Sequence, residues 1–201
     1  MILHRGLFFL ISFLVLFHLI GCKDKISSDD EIKLRISKIE RLIKFKNFDS
    51  AKVSSDSLIL AFKLTQSVPS DSIKTRFFIK VLDKAIKFND DSLVHKSAKE
   101  AFNLSNILND TVSKASVSWS YGNFYKNKAV MDSAYWYYYQ AFKYYQSVNL
   151  PIYTGRMLYN MTNVKWRQGD YTGSEINTFK AISRLKPLKY SKGLYLCYNH
   201  L

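Results

Sequence analysis

The chain repeats itself. Moved along by forty positions, Ala61-Phe62 falls on Ala101-Phe102, Ala141-Phe142 and Ala181-Ile182, and Val81 falls on Tyr121, Met161 and Leu201. A fixed offset that returns across four copies confines the fold to an array of similar units, each burying its apolar face against the next. The repeated pair is a small residue followed by a large one, which suits a helix lying close to a neighbour at the small residue. Within one copy, Ala134, Tyr138, Ala141, Phe142 and Tyr145 stand at i, i+4, i+7, i+8 and i+11, a single helical stripe. With 7 glycines and 3 prolines, the chain lacks the turn residues of a sandwich or barrel, so an all-α fold is expected. Hydrophobic residues at 47% and aromatics at 15% supply a sizeable core and argue against disorder for most of the chain.

Counted from Ala115 as position 1, Gly122, Tyr125, Ala134, Tyr138 and Ala141 fall on positions 8, 11, 20, 24 and 27. This spacing resembles the tetratricopeptide repeat, a helix–turn–helix unit, and implies a solenoid of such units. Counted from Gly155, Gln168-Gly169-Asp170-Tyr171 matches the family's inter-helix turn, and Ser174 and Ala181 take positions 20 and 27. Thr162, Lys165 and Thr178 depart from the pattern in that copy. Leu82, Val94 and Ala98 mark a weaker copy ending at Ala101. The units are expected at about residues 35–67, 75–107, 115–148 and 155–188, with a partial unit at 195–201; the first of these is a helix-pair assignment with little motif support. A 40-residue spacing exceeds the family's usual length of about 34 and implies longer helices or loops in each unit. Asp110 before Thr111 and Asp132 before Ser133 are expected at helix starts, while Pro151 and Pro187 are expected between units.

Ahead of the repeats, Arg5 precedes a 14-residue apolar run, Leu7 to Ile20. A spanning helix needs about 20 apolar residues, so the run suits the core of a signal peptide. It ends in Leu19-Ile20-Gly21-Cys22, which resembles the bacterial lipobox. The resemblance implies a signal peptide at 1–21, cleavage before Cys22, lipidation of Cys22, and a tether over 22–31 ahead of the repeats at 32–201. Each buried methylene contributes about 0.8 kcal/mol, so several acyl chains anchor a protein stably. Lys23 stands where some lipoproteins carry a retention Asp, which favours outer-membrane sorting by the same resemblance. Ser28 with Glu31 three residues later reads as a capping box, although the acidic stretch there also resembles, loosely, the tethers of surface lipoproteins.

The formal charge is +14, and +13 after loss of residues 1–21, which hold one Arg and no acid. Lysines are spread along the chain without a dense block, which fits a solvated surface, and no nucleic-acid partner is expected. The two cysteines, Cys22 and Cys197, indicate neither a disulfide framework nor a metal spacing, and Cys197 is expected to be a small buried residue. His95 and His200 lack triad or metal partners in the sequence and are expected to be surface or packing residues. No phosphate loop, GxSxG or HExxH is present, so neither a catalytic site, a metal nor a cofactor is expected. The run Tyr135-Trp136-Tyr137-Tyr138-Tyr139 is expected to pack between units, with Tyr138 alone in the core stripe; an aromatic ligand patch is the alternative.

The family resemblance implies a ligand groove lined by the first helix of each unit. The implied positions are Ser116, Trp119, Asn123, Lys126 and Asn127 in the third unit and Arg156, Tyr159, Asn163, Trp166 and Arg167 in the fourth. Asn, Lys and Arg there suit peptide backbone and carboxylate groups. The expected function is a lipid-anchored scaffold that binds a protein or peptide at the bacterial cell envelope. Two alternatives stand beside it: the sensory N-terminal part of a longer signalling protein, and a glycan-binding uptake lipoprotein. Because Leu201 falls at position 7 of a further copy, the chain is expected to be an N-terminal fragment.

Overall fold

A computed structural model describes residues 28–44 and 51–201. The expected signal peptide at 1–21, Cys22 and the tether up to residue 27 lie outside the described residues, as does 45–50 at the middle of the first expected unit. Helices account for nearly everything described: α1 (Ser28–Lys44), α2 (Ala51–Gln66), α3 (Asp71–Lys87), α4 (Asp91–Ile107), α5 (Thr111–Asn127), α6 (Met131–Ser147), α7 (Pro151–Arg167), α8 (Tyr171–Leu185) and α9 (Ser191–Tyr198). Among the described residues there is no strand, and no helix is long and apolar enough to cross a membrane.

Two compact units divide the chain, Met1–Ser37 and Lys38–Leu201. The described part of the first is the opening of α1, stitched by Lys33–Asp30 at 3.3 Å and Arg35–Glu31 at 2.8 Å. The described part of α1 begins at Ser28, so the expected capping role of Ser28 falls at the edge of the described residues, and Glu31 accepts from Arg35.

In the second unit, a helix starts at every twentieth position from Asp71 to Ser191. Five consecutive helices, α3 to α7, have 17 residues each. Two such helices, each with a three-residue turn, make the repeat period seen in the sequence. Most of the 40-residue period therefore lies in the helices. From α3 onward the turns share one backbone geometry. The residue before the last of each turn is left-handed: Asn89 (φ 55°), Asn109 (51°), Ala129 (59°), Asn149 (52°), Gly169 (77°) and Lys189 (51°). Asn and Gly reach that region cheaply, whereas Ala129 sits there at a cost of about 1 kcal/mol relative to glycine. The next residue closes the ending helix, as when the Asp90 N–H donates to Ala85 O at 3.0 Å and the Asp110 N–H to Ser105 O at 2.9 Å. In three of these turns the same residue also caps the following helix. Asp90 accepts from Leu93 N at 3.0 Å, Asp110 from Ser113 N at 3.0 Å and Asp170 from Gly173 N at 2.8 Å. Val130, Leu150 and Tyr190 close the ending helix without a side-chain cap for the next one, and α8, with 15 residues, is followed by a longer turn that keeps the next helix start in step.

Asp132 departs from expectation. The cap of α6 is Val130, which has no side-chain acceptor, and Asp132 lies inside the first turn. There its Oδ1 accepts from Gln168 Nε2 at 2.7 Å, linking the start of α6 to the end of α7. Pro151 is the first residue of α7, where its missing N–H costs nothing, and Pro187 follows the end of α8.

Turns this short make neighbours antiparallel, and α3–α4, α5–α6 and α7–α8 pack as pairs, with α6 also packing broadly on α7. The pair interface is set at one recurring pair of positions, filled in three ways. In α5–α6 it is Gly122 and Tyr138. A Cβ on Gly122 would stand 2.5 Å from the Tyr138 ring, so only glycine admits that ring. One period earlier it is Leu82 and Ala98, both fully buried, with the large residue moved to the other helix. One period later it is Thr162 and Thr178, whose hydroxyls lie 3.3 Å apart while Thr178 Oγ1 donates to Ser174 O at 2.9 Å, so a polar contact replaces the ring. Ala134, Tyr138, Ala141 and Tyr145 join Met157, Met161, Ala181 and Leu185 in one continuous core. Cys197 is 0% exposed within that core, and burial pushes its thiol up to about 11. Ser97 Oγ is buried without a partner.

Candidate functional site

The first helices of successive pairs, α3, α5, α7 and α9, carry the implied groove positions. A cavity of about 460 Å³ lies between α3 and α5. Ser116, Trp119, Asn123, Lys126 and Asn127, the five positions of the third unit, all line it, together with Ser120. The opposite wall is Ile79, Asp83, Ile86 and Lys87 of α3. Sequence reasoning missed these four, yet the signal was present. They stand one full period before Trp119, Asn123, Lys126 and Asn127 and so occupy the same repeat positions.

The side chains are held from behind by the core. The buried Tyr138 Oη donates to Asn123 Oδ1 at 2.8 Å, which holds the Asn123 side chain where it lines the cavity. Desolvation pushes the Tyr138 phenol up well above its ordinary range, so it remains a donor. Ser120, nearly buried, donates to Asp83 across the floor, joining α5 to α3. Crowding by the walls raises the Asp83 pKa through desolvation, against the opposing influence of Ser120 and Lys87. Lys126 is half-buried, and its pKa is lowered first by desolvation and then by the Arg167 charge. Ser116 Oγ donates to Val112 O at 3.0 Å and lies 3.3 Å from Tyr145 Oη.

Trp119 is shared with a second, narrower cavity of about 110 Å³, which α7 and α9 complete. Arg156 and Tyr159 line it, and so does Leu196, the counterpart of Arg156 one period later. The Arg156 guanidinium lies 4.4 Å from the Trp119 ring centroid, a cation–π contact that orients both. The Trp119 Nε1 donor is buried with no partner.

The remaining implied positions of the fourth unit line neither cavity. Asn163 Nδ2 donates to the Tyr159 carbonyl at 2.9 Å on its own helix. Trp166 is exposed and meets Tyr171 and His200 edge-on at 6.5 and 6.2 Å. Arg167 is exposed and acts on Lys126 through its charge. Of the histidines, His95 contacts Tyr121 Oη at 3.3 Å, and His200 Nε2 lies 3.0 Å from the buried Ser174 Oγ. Among the described residues no His, Cys, Asp and Glu side chains gather into a group suited to a metal ion.

No protein-family model matches the chain, and no curated protein matches it.

Proposed function

We propose that this chain is a lipid-anchored scaffold of tetratricopeptide type, holding a peptide segment of a partner protein at the bacterial cell envelope. One observation carries the binding half of this reading. Equivalent positions of two successive units, Ile79 with Trp119, Asp83 with Asn123, Ile86 with Lys126 and Lys87 with Asn127, line a single cavity. A repeating wall suits a repeating ligand, and an extended peptide presents carbonyl and N–H groups at regular intervals. Lys87 and Lys126 in the groove, with Arg156 beside it, outnumber Asp83, so the favoured segment is acidic or ends in a free carboxylate. The anchor half rests on Leu19-Ile20-Gly21-Cys22 and the apolar run before it.

Fluorescence polarisation of the full chain in detergent, against labelled random pentapeptides with free C-termini, tests the groove. Acidic peptides are expected to bind, and Lys126→Ala to weaken them by about tenfold or more, as loss of a charge-assisted hydrogen bond implies. Lys143→Ala on α6, away from the groove, should leave binding unchanged. Absence of any binder, or indifference to Lys126→Ala, rejects the groove. Metabolic labelling with radioactive palmitate tests the anchor: label on the wild type and none on Cys22→Ala is the expected pattern, and label persisting on the variant rejects it.

A further inference from the structure

A separate cavity of about 350 Å³ opens between α4 and α6, over another face of α5. Val117, Ser118 and Tyr121 turn towards it, while Ser116, Trp119, Ser120 and Asn123 turn towards the groove described above. Its walls are aromatic: Phe102 from α4, Tyr121 from α5, and Trp136, Tyr137 and Tyr144 from α6. These rings brace one another. Tyr121 stacks on Tyr137 with centroids 5.0 Å apart, Tyr125 stacks on Tyr137 at 5.3 Å, and Trp136 meets Tyr137 edge-on at 4.7 Å. Trp136 is nevertheless 54% exposed, a large indole left at the mouth of a concave site. Packing between helices explains Tyr137 and Tyr138 but not Trp136.

The polar lining narrows the ligand chemistry. Lys99, Asn103 and Gln140 reach the cavity, and no carboxylate among the described residues lines it. A cationic ligand would meet the Lys99 ammonium with nothing to balance it. A polyanion would find a single positive charge. A wholly aliphatic ligand would cover the Asn103 and Gln140 amides without bonding them, at a desolvation cost. An uncharged ligand with one flat C–H face and a rim of hydroxyls avoids all three conflicts. We propose that this cleft binds neutral carbohydrate, a sugar ring lying against Trp136 with its hydroxyls bonded to Gln140, Asn103 and Lys99. The C–H face of a pyranose carries partial positive charge, complementary to the negative face of the indole. The cavity falls within the size range of small-ligand sites, mostly apolar with a few converging polar groups. This site is independent of the peptide groove, and either can stand without the other.

Isothermal titration calorimetry of the full chain in detergent decides it, with cellotetraose, chitotetraose, xylotetraose and maltotetraose as probes. At least one is expected to bind with 1:1 stoichiometry. Trp136→Ala, a change at an exposed position that the fold tolerates, should weaken that binding by about tenfold or more. Gln140→Ala should weaken it by about three- to tenfold, and Lys126→Ala in the groove should leave it unchanged. No binding by any of the four sugars overturns the proposal. So does sugar binding that survives both Trp136→Ala and Gln140→Ala, or that Lys126→Ala abolishes. Binding of a Phe- or Tyr-containing tripeptide at Trp136 in place of every sugar assigns the cleft to a protein side chain and likewise overturns it.

Discussion

Tyr138→Ala is expected to lower folding stability by about 3–5 kcal/mol, measured as a shift in the urea midpoint followed by circular dichroism. The ring is fully buried at the centre of the continuous core of α5 to α9. Nothing nearby can collapse into the space it leaves, because the facing residue is Gly122, which has no side chain to extend. Tyr138→Phe separates the two roles of the residue. It keeps the ring and loses the 2.8 Å bond to Asn123, so about 1 kcal/mol is expected to go. If the groove binds peptide, Tyr138→Phe should also weaken that binding, because the Asn123 amide loses the partner that orients it.

Gly122→Ala is expected to change sign with its background. In the wild type the added methyl meets ring atoms of Tyr138 at 2.5 Å, and overpacking of this kind costs about 1–3 kcal/mol. In a Tyr138→Ala chain the obstacle is gone. Alanine is then the better helix former, and the same substitution should stabilise by about 0.5–1 kcal/mol. Equal effects in the two backgrounds would show that Gly122 and Tyr138 do not meet, and the α5–α6 packing described above would be wrong.

Much of this architecture is legible in the sequence because the repeat copies a physical constraint. A residue that must be small wherever two helices touch recurs at the helix-pair spacing, so Ala101, Ala141 and Ala181 expose the period directly. The turn is harder to read. Its signal is Asn or Gly followed by Asp, plain at 89–90, 109–110 and 169–170, but Ala129-Val130 and Lys189-Tyr190 keep the geometry without the chemistry. Asp132 reads as a helix start for that reason: it is the nearest acidic residue to a cap that has no side-chain acceptor. Half of the groove is legible and half is not. Positions on α5 follow from the family spacing, whereas Asp83 and Lys87 emerge only when the same positions are carried back one period to a copy with a poor motif. Asn163, Trp166 and Arg167 occupy the expected positions on α7, but the cavity beside that helix is small, and local partners take the first two. The orphaned Trp119 Nε1 has no sequence signature, since it arises from packing between helices, whereas the cleft at Trp136 is foreshadowed by the aromatic run Tyr135 to Tyr139, though its walls on α4 and α5 are not.

Amide hydrogen exchange resolved to single residues tests the repeat architecture most directly. The first N–H groups of a helix have no carbonyl to bond, so the fastest amides of the array should mark each start. For α4 to α8 they are expected at 91–92, 111–112, 131–132, 152–153 and 171–172, one set for each of these five starts, with one more fast amide at Ser133 because Val130 cannot cap. Amides at Asp90, Asp110, Val130, Leu150 and Asp170 should be protected in between by their bonds back to the preceding helix. Protection running unbroken through any of these starts, or fast sites that break the spacing of the helix starts, would contradict the array.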